Sequence, residues 1–433
     1  MEMNQQPENG DNLSPNSASA SGGDAGKTGM AHCPYRQASL LLQALASDKM
    51  KVAFFLGAGC PTAIRVKDGN GTKPLIPDTL GLTEQVCEFL AGTELASGSK
   101  MILARLTSNG RTDINVEEML THIRLLSEVI GNSEIDGLSK KMLLDLDVKI
   151  CQAITDIVKP RLDNDRTPYH SLARWIRSIP RAHPVEIFTS NYDLLIEQAL
   201  EENRVPFFDG FVGSDRPFFD VSSMEQDKLP ARWARLWKVH GSINWWRTPL
   251  ENVERRSTRP EEGDRQMICP SYQKYDQSRR MPFVAMIDRL RAFFGQGQTV
   301  LVTCGCSFAD EHLRDVIVQG LTANPTAMCF GLLYGDRSGA PKEIVTHARN
   351  LTNLSLLTAD GAVLGGVDAD WRRDEKTEHP LHGMAVKVGE MKPRSIAPSD
   401  QCKFLLGDFN ALGEFLTYQL AQTKSDKGNE NAA

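Results

Sequence analysis

The sequence predicts an α/β fold, a doubly wound, mostly parallel sheet of Rossmann-like type. Three observations predict it. Short apolar runs rich in Val, Ile, Leu and Phe recur along the chain, helix-period stretches separate them, and several runs end in a glycine-bearing or small polar motif.

The apolar runs are Lys51–Leu56, Val185–Thr189, Leu236–Val239, Thr299–Thr303, Ala327–Leu333 and Leu354–Leu357. They do not alternate apolar with polar residues, as expected for strands covered on both faces. Asp193–Leu200, Met281–Phe294 and Asp310–Leu321 carry apolar residues at helical spacing. From about Asp78 to Ile179 the rhythm breaks. That stretch holds helix-period runs at Val116–Ile130, Leu138–Val158 and Tyr169–Ile176 and no convincing strand. It predicts a large helical insertion, about 78–180, closed by Pro180. Gln226–Arg235 and Leu250–Gln266 read as polar surface loops, and Leu364–Asp400 as a long Gly- and charge-rich excursion. Trp245-Trp246 are assigned to the core.

Residues 1–30 are rich in Asn, Ser, Gly and Asp with almost nothing to bury, and predict a disordered tail; 423–433 read the same way. Between them, 31–422 form a single expected domain. The 433 residues are 41% hydrophobic and 24% charged, which is ordinary soluble composition. A net charge of −6 argues against a broadly basic nucleic-acid surface. No apolar run approaches the roughly 20 residues of a membrane span, and the polar start lacks the apolar core of a secretory signal. Nine cysteines, an odd number without any Cys-x-x-Cys pair, point to reduced thiols in a cytoplasm and to no metal site.

Four motifs at strand ends carry the chemistry. Gly57-Ala58-Gly59 follows the first run. Glycines there let backbone N–H groups approach phosphate oxygens, or simply close a strand-to-loop turn. Thr189-Ser190-Asn191-Tyr192-Asp193 precedes a helix. Asn191 offers a donor and an acceptor, while Asn191 or Asp193 could equally cap that helix. His240 in Val239-His240-Gly241-Ser242 is either a general base near neutral pH or a hydrogen-bonded turn histidine. His122, His183 and His379 have no comparable setting and are read as structural. In Thr303-Cys304-Gly305-Cys306-Ser307-Phe308-Ala309-Asp310-Glu311-His312, Ser307 and Asp310 could bond ribose hydroxyls, and Asp310 could equally be an N-cap. The Cys304/Cys306 pair alone is poor ground for metal or redox chemistry.

In this order and all at strand ends, the motifs resemble the sirtuin family. The resemblance rests on GAG at 57–59, TSNYD at 189–193, HGS at 240–242 and G-x-S-x-x-D-x-H from Gly305 to His312. Tyr169-His170 resembles the helix before the family's TxN strand, and Leu406-Gly407-Asp408-Phe409 its adenine-side loop. The likeness spans residues 51–415. It implies a sirtuin fold with NAD as substrate. Gly57, Ala58 and Gly59 would hold the pyrophosphate. Asn191 would lie beside the nicotinamide ribose, and Asp193 would hold the carboxamide. His240 would be the base. Gly305, Ser307 and Asp310 would line the adenosine ribose, with Asp408 and Phe409 on the adenine side.

The chain departs from sirtuin deacylases in three places, one of them Ser307–His312, which differs from the loop that pairs with a peptide backbone. HGSINWWRTPL continues without the two Cys pairs that hold their zinc, so no zinc module is expected. Leu75-Ile76-Pro77-Asp78 is similar to the family's GIPD segment but is displaced by an insert after the GAG turn. The zinc-free pattern resembles bacterial anti-phage sirtuin-like effectors, most closely the Nezha type, which pairs with a HerA-like ATPase. That likeness implies an NAD+ hydrolase of antiviral defence that releases nicotinamide and ADP-ribose and has a HerA-like ATPase partner; since a toxic hydrolase must be restrained and the insertion offers surface for assembly, a homo-oligomer is expected. An NAD-dependent protein deacylase and a non-catalytic NAD or ADP-ribose scaffold are the alternatives.

Overall fold

A computed structural model describes residues 31–430 apart from 109, 111–113, 165, 227, 258–262, 269–280, 374–378 and 389–401. Among the described residues the central sheet has ten strands. In chain order they are Ala31–His32 (β1), Lys51–Leu56 (β2), Glu186–Thr189 (β3), Phe207–Phe208 (β4), Ala234–Lys238 (β5), Thr299–Cys304 (β6), Met328–Leu332 (β7), Leu354–Leu357 (β8), Gly361–Leu364 (β9) and Val367–Trp371 (β10). Across the sheet they lie in the order β1-β10-β9-β8-β7-β6-β2-β3-β5-β4. Pairing is parallel from β8 through β4. β8, β9 and β10 pair antiparallel. The fold is therefore the expected doubly wound, mostly parallel sheet.

The central runs lack alternation because both faces are covered. Successive side chains on β2 enter opposite cores: Val52, Phe54 and Leu56 pack on one side, Ala53 and Phe55 on the other. From β2 the chain lays β3 and β5 to one side and, from β6, lays β7 and β8 to the other. The direction of winding reverses between β2 and β6. In open α/β sheets the crevice beyond the strand carboxyl ends at such a reversal is where ligands bind.

The helices used below are Thr79–Ala91 (α1), Ala96–Ser108 (α2), Val116–Val129 (α3), Lys140–Val158 (α4), Pro168–Ser178 (α5), Leu195–Glu202 (α6), Glu311–Ala323 (α7) and Phe409–Glu430 (α8). The insertion is α1 to α4. It contains a two-residue hairpin, Glu134–Ile135 with Leu138–Ser139, that the helical pattern conceals. α5 falls within the insertion expected from sequence but packs on the sheet: Trp175 meets Phe54 edge-on at 5.4 Å and donates to Gln419 of α8 at 2.8 Å. α8 carries backbone helix past residue 422, where a disordered tail is expected to begin. Elongating an anchored helix adds a hydrogen bond per residue without a new nucleus. The expected tail at 1–30, and 431–433, lie outside the described residues.

The polar segment Leu250–Gln266, expected as a loop, contributes strands. Val253–Arg255 and Arg265–Ile268 pair with Gly241–Arg247 in a small antiparallel sheet that also holds Phe211–Val212 and Phe218–Phe219. Trp245 is buried in it, as expected. Part of the expected excursion at 364–400 is the β9–β10 hairpin at the sheet edge. The insertion docks on the small sheet: Thr155 donates to Gln266 at 3.0 Å, and Arg124 reaches the Ile268 carbonyl at 3.4 Å and Asp147 at 2.9 Å.

Candidate active site

Beyond the carboxyl ends of β2, β3, β5 and β6 lies a cleft of about 910 Å³. Its wall takes in Gly57, Ala58, Gly59, Asn191, Asp193, His240, Gly305, Ser307 and Asp310. Nine of the eleven residues singled out from sequence thus meet in one cavity.

The GAG turn and the Gly305 turn interlock. Gly57 donates its N–H to Cys304 O at 3.0 Å, and Gly59 donates to Gly305 O at 2.9 Å. A Cβ on Gly57 would sit 2.3 Å from the Gly305 carbonyl oxygen. Gly305 itself is left-handed at φ +64°, where a Cβ would fall 2.5 Å from Cys60 N. The glycines are required by loop-to-loop packing, and the two glycine amides are already committed to that packing. The phosphate-facing role read from sequence would then fall to the rest of the turn, which lines the cleft. Phe308, buried with φ +59°, is a second left-handed residue in the same turn. A bulky residue is rarely held there.

Asn191 donates Nδ2–H to Gly57 O at 3.1 Å, and its backbone N–H donates to Thr189 Oγ1 at 3.0 Å. The amide is thereby fixed against the first loop, with its carbonyl oxygen left as an acceptor. Asp193 is buried, and its Oδ1 accepts from Leu195 N at 3.0 Å. It closes a local turn just before α6 as well as lining the wall. Burial pushes it up to about 6, against the pull of Lys238 and the Leu195 amide. Lys238 donates to the Asp193 carbonyl oxygen and to Glu197 at 2.8 Å.

His240 lies between two carboxylates. Its Nε2 is 3.0 Å from Asp310 Oδ2, and its Nδ1 is 3.8 Å from Glu117 Oε1. Burial alone weakens the ring's hold on its proton. Asp310 and Glu117 more than reverse that and raise it to about 10. Asp310 answers in kind: burial works against its charge, and His240 holds it below the usual carboxylate range. The two flanking carboxylates favour the protonated ring over the free base expected from the sequence. Asp310 is committed to this pair and to capping α7, through His312 N at 2.9 Å and Leu313 N at 3.2 Å. The adenosine-ribose role read for it would have to be shared with these bonds.

Glu117 is not legible in the sequence as a site residue. It stands in the first turn of α3, where Asn115 and Glu118 form a capping box. Tyr192 donates its hydroxyl to Glu117 Oε1. Glu118, Thr121 and His122 of the same helix also line the cleft, so His122 is not the purely structural residue its sequence setting suggests. Burial, then Arg105, hold the His122 ring below its ordinary value. Ile76, Pro77 and Asp78, the displaced GIPD-like segment, line the cleft too. Thr62 ties that segment back by donating toward Ala58 O at 2.9 Å and Ile76 O at 3.3 Å. At the far end stand Arg314, Leu333, Tyr334 and Asp336.

Asp408 and Phe409 are not among the cleft's wall residues. Asp408 accepts from Asn410 N at 2.8 Å at the start of α8, and Phe409 is buried against Tyr169 at 4.9 Å. Gly407 supplies the close approach there, since a Cβ would meet Leu333 O at 2.2 Å. An acidic residue followed by an apolar one at a helix start is explained by capping and packing. Cys306 lines the cleft, but burial pushes its thiol up to about 12, which leaves it no nucleophile. Among the described residues no group of three or more His, Cys, Asp or Glu could hold a metal ion, and no helix is long and apolar enough to cross a membrane.

Residues 185–353 match the family model described as SIR2-like domain. The match takes in Asn191, His240 and the Gly305–His312 turn. No curated protein matches the chain. Among solved structures, the chain is similar to a mutant Sir2 homologue in complex with ADP-ribose, at 12% identity over 67% of this chain and 84% of that one, with a TM-score of 0.32. It is also similar to a Sir2 homologue in complex with NAD, at 13% identity over 73% of this chain and 87% of that one, with a TM-score of 0.32.

Proposed function

We propose that this chain hydrolyses NAD+ at its nicotinamide–ribose bond, giving nicotinamide and ADP-ribose. One observation carries the reading: Asn191 and His240, borne on different strands, line a single cleft where the sheet's winding reverses. The cleft's size, about 910 Å³, suits a dinucleotide-scale ligand. The SIR2-like match, which covers both residues, supports the same reading.

The chemistry fits these groups. The carbon–nitrogen bond breaks with its electron pair passing to nicotinamide, which leaves neutral. The ribose becomes cationic, as in glycoside cleavage. Water then adds to the anomeric carbon and gives up one proton. The Asn191 carbonyl oxygen is the group to hold that water. Glu117 and Asp310 place negative charge beside a developing cation. With His240 charged at rest, the water's proton passes to a carboxylate of this cluster rather than to the ring. Asp193 is retained as the carboxamide partner, and the GAG and Gly305 turns with Ser307 as the walls for pyrophosphate and ribose.

By the resemblance of its motif set, we place this activity in cytoplasmic NAD+ depletion during bacterial anti-phage defence, in a homo-oligomer with a HerA-like ATPase partner. Exposed Val129, Leu144 and Val148, on two neighbouring helices of the insertion, support a self-association surface. The test is to incubate the protein with NAD+, alone, with the ATPase and with an acyl-lysine peptide, and to identify the products. Nicotinamide and ADP-ribose formed without peptide is the expected result. Release that depends strictly on the peptide would make it a deacylase, and NAD+ binding without turnover under every condition a scaffold.

A further inference from the structure

We infer that Glu117, carried by the helical insertion, is a positioning residue of the active site: it sets the charge and the orientation of the His240 ring. The inference rests on the hydrolase reading for what the ring does, and on geometry for the coupling itself.

Three contacts define the arrangement. Glu117 stands 3.8 Å from His240 Nδ1. Asp310 stands 3.0 Å from Nε2, on the opposite side of the ring. Tyr192, the neighbour of Asn191, donates its hydroxyl to Glu117. A ring with a carboxylate facing each nitrogen carries a proton on both, and cannot turn over without exposing an N–H to the wrong partner. The Tyr192 hydroxyl holds the Glu117 side chain in place and links it to the segment that carries Asn191. One carboxylate thus touches both halves of the expected catalytic pair, the histidine directly and the asparagine through its neighbour.

Glu117 is not a bystander on a solvated helix. Its side chain is 19% exposed, against 9% for His240 and 17% for Asp310, so the three form one half-buried cluster. Asn115 and Glu118 cap the helix and fix where its first turn begins. Thr83 of α1 accepts from Val116 N at 2.9 Å, which pins that turn to the rest of the insertion. The other ionisable groups around the ring are accounted for. On α3, Glu118 and His122 line the cleft. On the β6 turn, Glu311 and His312 flank Asp310. On the β3 turn, buried Asp193 is turned to Leu195 N. Of these, the two carboxylates that reach the ring are Glu117 and Asp310. Without α3, His240 would keep one partner and lose its fixed orientation. The insertion therefore completes the site rather than decorating it.

The test uses full-length protein and two readouts. The first is NMR titration of the histidine side chains, with His240 identified by the signal lost in His240→Asn. Glu117→Gln keeps the side chain's shape and removes its charge. The proton affinity of His240 should fall about ten- to a hundred-fold, while Glu117→Asp restores most of it. Thermal melting of each variant verifies the fold. The second readout is nicotinamide release against pH. The inflection belonging to His240 should move to lower pH in Glu117→Gln by the same factor, with KM for NAD+ little changed. An unchanged His240 titration in folded Glu117→Gln overturns the inference, whatever the activity. If the wild type releases no nicotinamide yet the titration shifts, the hydrolase reading fails and the coupling stands.

Discussion

Asp310 serves a ring and a helix at once. Its Oδ2 lies 3.0 Å from His240 Nε2, while its Oδ1 accepts the amides of His312 and Leu313 at the start of α7. The turn that ends β6 is thereby tied to the one that ends β5, across two intervening strands. The two jobs can be separated by substitution. Asp310→Asn keeps a capping side chain and removes the charge; Asp310→Ala removes both. Urea denaturation at neutral pH should show Asp310→Asn less stable by about 1–3 kcal/mol, the cost of a buried donor left poorly paired. Asp310→Ala should lose about 1 kcal/mol more for the missing cap. Equal stability of the two variants would contradict the capping role.

The same pair predicts how stability changes with pH. His240 is raised in the folded protein from 6.5 to about 10. Its contribution is therefore complete below about 6.5 and is lost as pH rises through 10. Asp310 is held below its ordinary value, so its contribution is present above that value and is lost as pH falls through the depressed one. Denaturation measured from pH 6 to 10 should show declining stability towards the alkaline end, and His240→Asn should flatten that decline. A wild-type profile that is level from 7 to 10 would remove the imidazolium assignment.

Asn191→Ala should leave the fold nearly intact. The bond lost is Nδ2–H to Gly57 O at 3.1 Å, on a part-exposed side chain, worth about 1 kcal/mol. Nicotinamide release should fall by about 100-fold or more if the amide orients the attacking water. Normal turnover in a folded variant would remove Asn191 from the site.

Gly57→Ala tests the interlocked turns. A methyl 2.3 Å from a backbone oxygen cannot be accommodated without shifting the Gly305 loop. We expect a loss of about 1–3 kcal/mol or more, together with weakened NAD+ binding. Gly339→Ala, with nothing within 4 Å of the added carbon, should be near neutral in stability.

Asp408→Ala separates the adenine-side expectation from what the structure shows. A lost helix cap costs about 1 kcal/mol. NAD+ affinity by calorimetry should be unchanged, since Asp408 is not part of the cleft wall. A marked loss of affinity would restore the sequence-based assignment.

These outcomes bear on what the sequence could say. The parallel core is legible because Lys51–Leu56, Thr299–Cys304 and their neighbours are buried on both faces, and a short unbroken apolar run bounded by turns suits a strand covered on both sides. The strand-end motifs are legible because a doubly wound sheet gathers such turns in one crevice. Glu117 is hidden. An acidic residue in a helix's first turn is common for reasons of the helix dipole alone, and the approach of α3 to β5 is a tertiary fact. The small antiparallel sheet is hidden too, since strands such as Val253–Arg255 are too short to show a period. For Asp408-Phe409 the letters alone do not tell a ligand contact from the cap and packing that the structure shows.

Glu117 and Arg124 stand seven residues apart, two turns along one face of the same helix. The first meets His240; the second grips Asp147 and the Ile268 carbonyl, at the seam with the small sheet. One helix thus spans from the cleft wall to the seam with the small sheet, and a single rigid element fixes the distance between the two.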